Sequence, residues 1–239
     1  MSDRTIPGQQ LDRRLFVLGL GVSLLAGCAG GGSDRSRTVD TTGSAQSPSD
    51  TSTVPGKRET GGLLDAIERR RSIRSYTDAS VSEQDVALMA WAAQGITDVD
   101  RGLRAAPSAL AAYPLRLYVA TAKSLRLYQP EQGAFKLVRA EDVRPGLLES
   151  SGQPAVGKAP VVFVVTGRYG VLEQDLGEKA QRCVHLEAGH ATQNLVLTAT
   201  SLGLAGVTAG SFEDSMVREV LGASVEETPL YLVPIGHPA

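Results

Sequence analysis

The sequence predicts one mixed α/β domain reaching from about residue 61 to the C-terminus, with helix and strand signals interleaved along it. Three observations carry that expectation. Ser82, with Asp85 three residues on, is a capping signature, and Val86, Met89, Ala90 and Ala93 follow at helical spacing up to Gly95. The run from Ala159 to Thr166 is almost continuously apolar and β-branched, as in a strand covered on both faces. Between Gly177 and Leu202, residues Val184, Ala188, Ala191, Leu195 and Ala199 form one helical stripe. Leu186, Val196 and Leu197 add apolar surface elsewhere, which predicts a buried helix, placed between a sheet and a partner subunit.

Before this domain the chain reads as an address. Arg4, Arg13 and Arg14 precede a short apolar run, Leu15 to Ala26, then Gly27 and Cys28, the layout of a secretory signal. At about 12 residues the run is too short to span a bilayer, which takes roughly 20. Leu25-Ala26-Gly27-Cys28 resembles the lipobox of bacterial lipoproteins, which implies lipidation of Cys28 as the mature N-terminus and a membrane anchor. The alternative is cleavage elsewhere, with Cys28 a free thiol. Asp12-Arg13-Arg14-Leu15-Phe16-Val17 resembles a twin-arginine export signal, and an ordinary basic leader explains the same residues. Residues 29–60 are Gly, Ser, Thr, Asp and Pro with few apolar side chains, so they cannot offset their ordering entropy and are expected to be a disordered tether. The expected organisation is thus 1–28 signal, 29–60 tether and 61–239 folded domain.

The remaining elements follow in order. Thr60 can cap a helix through about Arg70 with Leu63, Leu64 and Ile67 on one face. Leu115 to Thr121 alternates as a half-buried strand would, and Leu125 to Tyr128 with Phe135 to Val138 reads as a hairpin around Gly133. After a Gly-rich stretch, Gly203 to Gly210, come a short helix near Asp214 to Leu221 and a last strand, Leu230 to Ile235.

Charge and cysteine content exclude several classes. Across 239 residues, 24 basic and 26 acidic side chains nearly cancel, so no general basic field for nucleic acid exists. Losing residues 1–28 leaves 21 basic against 24 acidic groups, a net charge of -3. Cys28 and Cys183 are too few for a disulfide framework. His185 and His190, five apart, do not form the i, i+4 metal pair, so no metal site is expected, and both read as buried or interface polar residues. Cys183 reads as packing. No nucleophile elbow, phosphate-binding Gly-Lys loop or Rossmann glycine motif follows a strand, which argues against hydrolase, NTPase and classical dehydrogenase.

Three segments could carry chemistry. Arg69-Arg70-Arg71-Ser72-Ile73-Arg74-Ser75-Tyr76 gathers four guanidiniums and two small hydroxyls at a helix exit, where arginine forks match phosphate oxygens. A solvated helix C-terminus explains the same run. Arg104-Ala105-Ala106-Pro107-Ser108 precedes Tyr113-Pro114 and a strand. Gly203-Leu204-Ala205-Gly206-Val207-Thr208-Ala209-Gly210-Ser211-Phe212 lets backbone approach a flat ligand, or simply makes a tight turn.

In this order, with Glu187-Ala188-Gly189-His190-Ala191-Thr192-Gln193-Asn194 between and Pro234-Ile235-Gly236-His237 at the close, these segments resemble the nitroreductase-like flavoprotein family, most closely its SagB-type dehydrogenase branch. The resemblance covers about residues 61–238. It implies an α+β fold, a central mixed and mainly antiparallel sheet packed by helices, and a homodimer with FMN at the subunit interface. Arg70, Arg71, Ser72 and Arg74 would hold the FMN phosphate and ribityl chain, with Arg74 toward the pyrimidine edge. Pro107 and Ser108 would lie against FMN from the other subunit, and Gln153 would make a polar contact. Thr208, Ala209 and Gly210 would run along the ring, the Gly210 amide facing the hydride-accepting N5. The implied activity is FMN-dependent oxidation or reduction of a small organic substrate, with no side chain as acid or base. Leu110 and Ala111 stand where relatives have small or polar residues, and Thr208 where they have proline. The alternative is a flavin-free, lipid-anchored binding or scaffold protein of the same fold.

Overall fold

In a computed structural model, residues 62–239 are described. Cys28, the signal, the tether and the Thr60 cap lie outside the described residues.

Six strands build the main sheet: β3 (Leu115–Thr121), β4 (Leu125–Gln129), β5 (Ala134–Arg139), β6 (Val161–Gly167), β7 (Ala205–Gly206) and β8 (Thr228–Gly236). Their order is β5-β4-β3-β6-β8-β7 and every named pair is antiparallel. A small hairpin, β1 (Ile96–Asp98) with β2 (Leu103–Arg104), stands apart. Helices are α1 (Leu63–Arg69), α2 (Glu83–Gln94), α3 (Arg144–Ser151), α4 (Pro154–Lys158), α5 (Gly170–Leu176), α6 (Lys179–Ser201) and α7 (Asp214–Leu221). Among the described residues, no helix is long and apolar enough to cross a membrane.

The apolar run that predicted a strand is β6, buried at every position and flanked by β3 and β8. Its alternate side chains feed two cores. Val161, Phe163 and Val165 join Met89 of α2 and Val184 and Leu195 of α6 on one face. Val162 and Val164 join Leu147 of α3, Val156 of α4 and Leu221 of α7 on the other. The result is helices on both faces of the sheet. Strand β3 departs from the half-buried expectation for the same reason: Leu117 and Val119 enter the first core, Tyr118 and Ala120 the second.

The capping signature on α2 is formed as expected, Asp85 N donating to Ser82 Oγ at 3.1 Å, and Val86, Met89, Ala90 and Ala93 are buried. The hairpin turns at Gly133 with φ +58°. Helix α1 ends at Arg69, close to the expected Arg70, and rests on α6 with Ala66 as its buried residue, leaving Leu63, Leu64 and Ile67 at least half exposed. Both α6 histidines are exposed, not buried, while Cys183 packs partly buried against the first core.

The chain leaving α1 is extended from Arg70 and joins the sheet edge. Ser72 bridges Gly206 in parallel, and Ile73 N donates to Gly206 O at 3.1 Å. Gly206 is required there, because a Cβ would press into the Ile235 side chain and stand 2.9 Å from Pro234 O. Tyr76 latches this segment: its hydroxyl donates to Ile73 O at 2.8 Å and to Pro234 O at 3.1 Å, and burial raises its pKa. Beyond it Thr77 N donates to His237 O at 2.9 Å, and Ala239 N to Ser75 O at 3.3 Å. Tyr76→Phe is expected to lower stability by about 1–2 kcal/mol, the effect of stranding buried acceptors. The shift in urea midpoint measures it, with an unchanged circular dichroism spectrum.

Candidate functional site

Along the segment after α1, Arg71, Ser72 and Arg74 are exposed and Arg70 is half-buried. Ile73 packs on the second core. Arg71 is spent on the helix end: its Nη1 donates to Glu68 O and Arg70 O, both at 2.8 Å, as a cation does at a helix C-terminus. Arg69 is paired with Asp65. Arg70 makes no ion pair among the described residues, and Arg74 only a long bond to Ser72 O, 3.4 Å. The four-arginine run thus divides, leaving Arg70 and Arg74 available and Arg69 and Arg71 engaged with their own helix.

The Gly-rich stretch lies along this edge. Gly206 takes the Arg segment on one side and β8 on the other. Farther on, Ala209 is buried and pairs with Leu232 through bonds of 2.8 and 2.9 Å, while Thr208 and Gly210 on either side of it are exposed. Nothing lies within 4 Å of where a Gly210 Cβ would be. Gln153, ahead of α4, donates from Nε2 to Ser211 O at 3.1 Å, and Glu213 N donates to Ser150 O at 2.9 Å, so the α3–α4 turn holds the loop from behind. Ser72, Thr208, Ala209, Gly210 and Gln153 are therefore assembled around one edge. Beside Gly210 opens a cavity of about 530 Å³, lined also by Tyr169, Gln181, His185, Phe212 and Tyr231. Tyr169 Oη and His185 Nε2 are 2.7 Å apart within it, and burial raises the Tyr169 pKa.

Among the described residues, no hydrogen bond joins Pro107 or Ser108 to residues 70–74 or 206–210. The segment after Pro107 turns sharply, with Leu110, Ala111 and Tyr113 all at positive φ, 56°, 52° and 49°. Such backbone costs of order 1–3 kcal/mol per residue and persists only where its surroundings fix it. Here Tyr113 N donates to Ser108 Oγ at 2.9 Å, and Arg104 N to Tyr113 Oη at 2.9 Å. The Arg104 guanidinium lies 4.6 Å over the Tyr113 ring and bonds Gln94 and Glu131. Beneath lies Glu187 of α6, 2% exposed, with neither carboxyl oxygen hydrogen-bonded among the described residues. Burial pushes its pKa up to about 7, opposed by the Ser108 hydroxyl and the Arg104 charge. Sequence reading placed Glu187 in a motif but assigned it no task. A charged residue within an otherwise apolar helical stripe was the available signal.

Among the described residues no group of three His, Cys, Asp or Glu is placed to hold a metal.

The described residues form an α+β protein with an arginine-bearing segment paired to the edge of its sheet. The Nitroreductase family profile matches residues 67–237, and the chain belongs to that family. A Methanocaldococcus jannaschii protein assigned as a nitroreductase is 35% identical over 182 residues, 73% of this chain and 90% of that one. A crystal structure assigned as a nitroreductase from Ralstonia eutropha superposes with TM-score 0.69 at 26% identity, over 77% of this chain and 87% of the other. One from Desulfovibrio desulfuricans, solved in complex with FMN, gives TM-score 0.57 at 26% identity, over 74% and 86%.

The Glu187 environment makes a stability prediction. Below the ordinary carboxyl value both native and unfolded chains hold the proton, and no pH dependence arises. As pH rises from about 4.5 the unfolded chain releases it while the native chain retains it, so stability falls until about 7, where native Glu187 also ionises. Glu187→Gln is expected to flatten this slope and to exceed wild type by on the order of 2 kcal/mol at pH 7.5, with little difference at pH 4.5. Urea denaturation of both proteins at the two pH values decides it.

Proposed function

We propose that this nitroreductase-family protein is an FMN-dependent oxidoreductase, close to the SagB-type dehydrogenases, that works as a membrane-tethered homodimer on a small organic substrate. The observation that carries the reading is the sheet edge: the segment that bears Arg70, Ser72 and Arg74 is bridged at Ser72 to Gly206, ahead of the loop that exposes Thr208 and Gly210. This edge fits the cofactor. Two arginines without acidic partners suit a phosphate and an electron-rich ring edge, and the open space at Gly210 admits a flat group against backbone.

Arg70 with the Ser72 hydroxyl binds the phosphate end, and Arg74 places a fixed positive charge toward the pyrimidine edge, where it favours the electron-rich state. Arg71 steadies the helix end behind them. Gly210 offers its N–H, and Gln153 fixes the loop through Ser211. Pro107 and Ser108 are supplied by the second copy. FMN held by these residues would supply the two-electron redox chemistry that no side chain here provides. The exposed Leu63, Leu64 and Ile67 of α1 and Leu88 and Trp91 of α2 support the homodimer, Leu63 and Trp91 lining one groove. Cys28 anchors the protein, by our reading, on the extracytoplasmic side of a membrane.

Two experiments test this. The full chain purified in detergent is expected to be yellow, and Arg70→Ala with Arg74→Ala to weaken FMN binding at least about 100-fold, roughly two charge-assisted bonds, while the thermal melt of the apoprotein stays in place. A colourless protein indifferent to added FMN would favour the flavin-free scaffold reading. Separately, Cys28→Ser is expected to move the protein from the detergent phase to the aqueous phase, and unaltered partitioning would dismiss the anchor.

A further inference from the structure

We propose that Glu187 is a positioning residue for the Pro107–Ser108 segment, its ionisation deciding whether the Ser108 hydroxyl turns inward or is free for the ligand outside. This rests on the FMN site proposed above.

Glu187 is enclosed, and its two oxygens lack hydrogen-bond partners among the described residues, an arrangement that strongly disfavours the charged form. The polar groups that bear on it come from one direction, Arg104 of β2 and Ser108 just beyond. Arg104 is already divided among Gln94 of α2, Glu131 and the Tyr113 ring, so it attenuates a charge on Glu187 without neutralising it. The same core holds Met89 and Ala93 of α2, Leu172 of α5, and Phe163, Val233 and Ile235 of the sheet, with Gln94 of α2 and Thr192 of α6 as further buried, uncharged polar side chains. On α6 itself, the titratable neighbours one turn away are Cys183 and His190, partly buried and exposed respectively.

Ser108 has one proton to give, and its oxygen already accepts from Tyr113 N. The strained backbone at Leu110, Ala111 and Tyr113 fixes the segment, leaving the hydroxyl rotor as the part free to respond. An ionised Glu187 draws that proton inward and sets a buried negative charge behind an anionic ligand. A neutral Glu187 releases the hydroxyl outward. The carboxyl's raised pKa, about 7, sets this change within the physiological range. Ligand affinity therefore falls as pH rises through that value, and by reciprocity the bound ligand favours the protonated acid.

The test uses the detergent-solubilised full chain with FMN as probe, its affinity read by flavin fluorescence at pH 5.5 and 8.5. Comparing proteins at the same pH cancels the titration of FMN itself. Glu187→Gln, neutral at both, is expected to match wild type at pH 5.5 and to bind roughly tenfold more tightly than wild type at pH 8.5, one pKa unit of coupling. Equal affinities at both pH values would overturn the proposal. A second measurement needs no ligand: the carbon-13 signal of the Glu187 carboxyl in the apoprotein is expected to titrate at higher pH in Ser108→Ala, because the hydroxyl stabilises the ionised form. An unmoved midpoint overturns the coupling. A chain that binds no FMN at any pH overturns the functional reading and the ligand half of this proposal, while the carboxyl titration still decides the Glu187–Ser108 link.

Discussion

The candidate site depends on the pairing of the segment after α1 with the short edge strand β7. Two residues of β7 could not by themselves hold a chain of arginines in extended form. They do so because Gly206 lets β7 lie against Ile235 and Pro234, and because the Tyr76 hydroxyl ties the segment's own Ile73 carbonyl to Pro234 on β8. Gly236 completes the joint, since a Cβ there would stand 2.8 Å from Pro160 and 3.0 Å from Tyr76. The bridged backbone then keeps the segment of Arg70, Ser72 and Arg74 beside the loop that carries Thr208 and Gly210. The C-terminal strand and the N-terminal arginines are thus one construction.

Much of this was legible in residues. The β6 run, the Ser82 cap and the α6 stripe were strong periodic signals, and each corresponds to an element at the sheet centre or directly on it. The α3 and α4 helices were not legible, because Pro145, Gly146, Pro154 and Gly157 read as breakers, whereas both prolines sit in a first turn, where no amide partner is needed. Burial of β3 was misjudged because alternation cannot distinguish a strand with one wet face from one whose two faces enter two cores. The division of the arginine run was not visible: Arg71 faces the helix carbonyls because the chain changes from helical to extended within one residue.

Two buried glutamates show how differently the fold treats the same side chain. Glu227 receives Tyr118 Oη and Thr166 Oγ1, each at 2.9 Å, and Arg116 at 3.3 Å, so its charge is shared within a network at the base of the sheet. The Tyr118 hydroxyl is held protonated by burial and by that carboxylate. Among the described residues Glu187 has no such set, and Gln94 Nε2 and Thr192 Oγ1, on the same pair of packed helices, are also buried without partners. A satisfied network fixes structure, while an unsatisfied one beneath a strained turn is where a proton or a ligand changes the energy most.

The placement of Pro107 and Ser108 away from the arginine edge follows from the same economy of surface. Within one protomer, α6 carries the Pro-Ser segment through Glu187 and Asn194, the latter donating to Ala105 O at 3.4 Å, while α1 rides on α6 through a single alanine. Leu63, Leu64 and Ile67 are left outward, next to Trp91 and a groove of about 400 Å³ that Ala66, Asn194 and Thr198 help to line. A helix that buries only its smallest side chain against its own domain keeps its larger ones for something else. A second copy docked over α1, α2 and α6 would bury those leucines and carry its own Pro-Ser segment with it, so the covering of an apolar face and the completion of the cofactor site become one event.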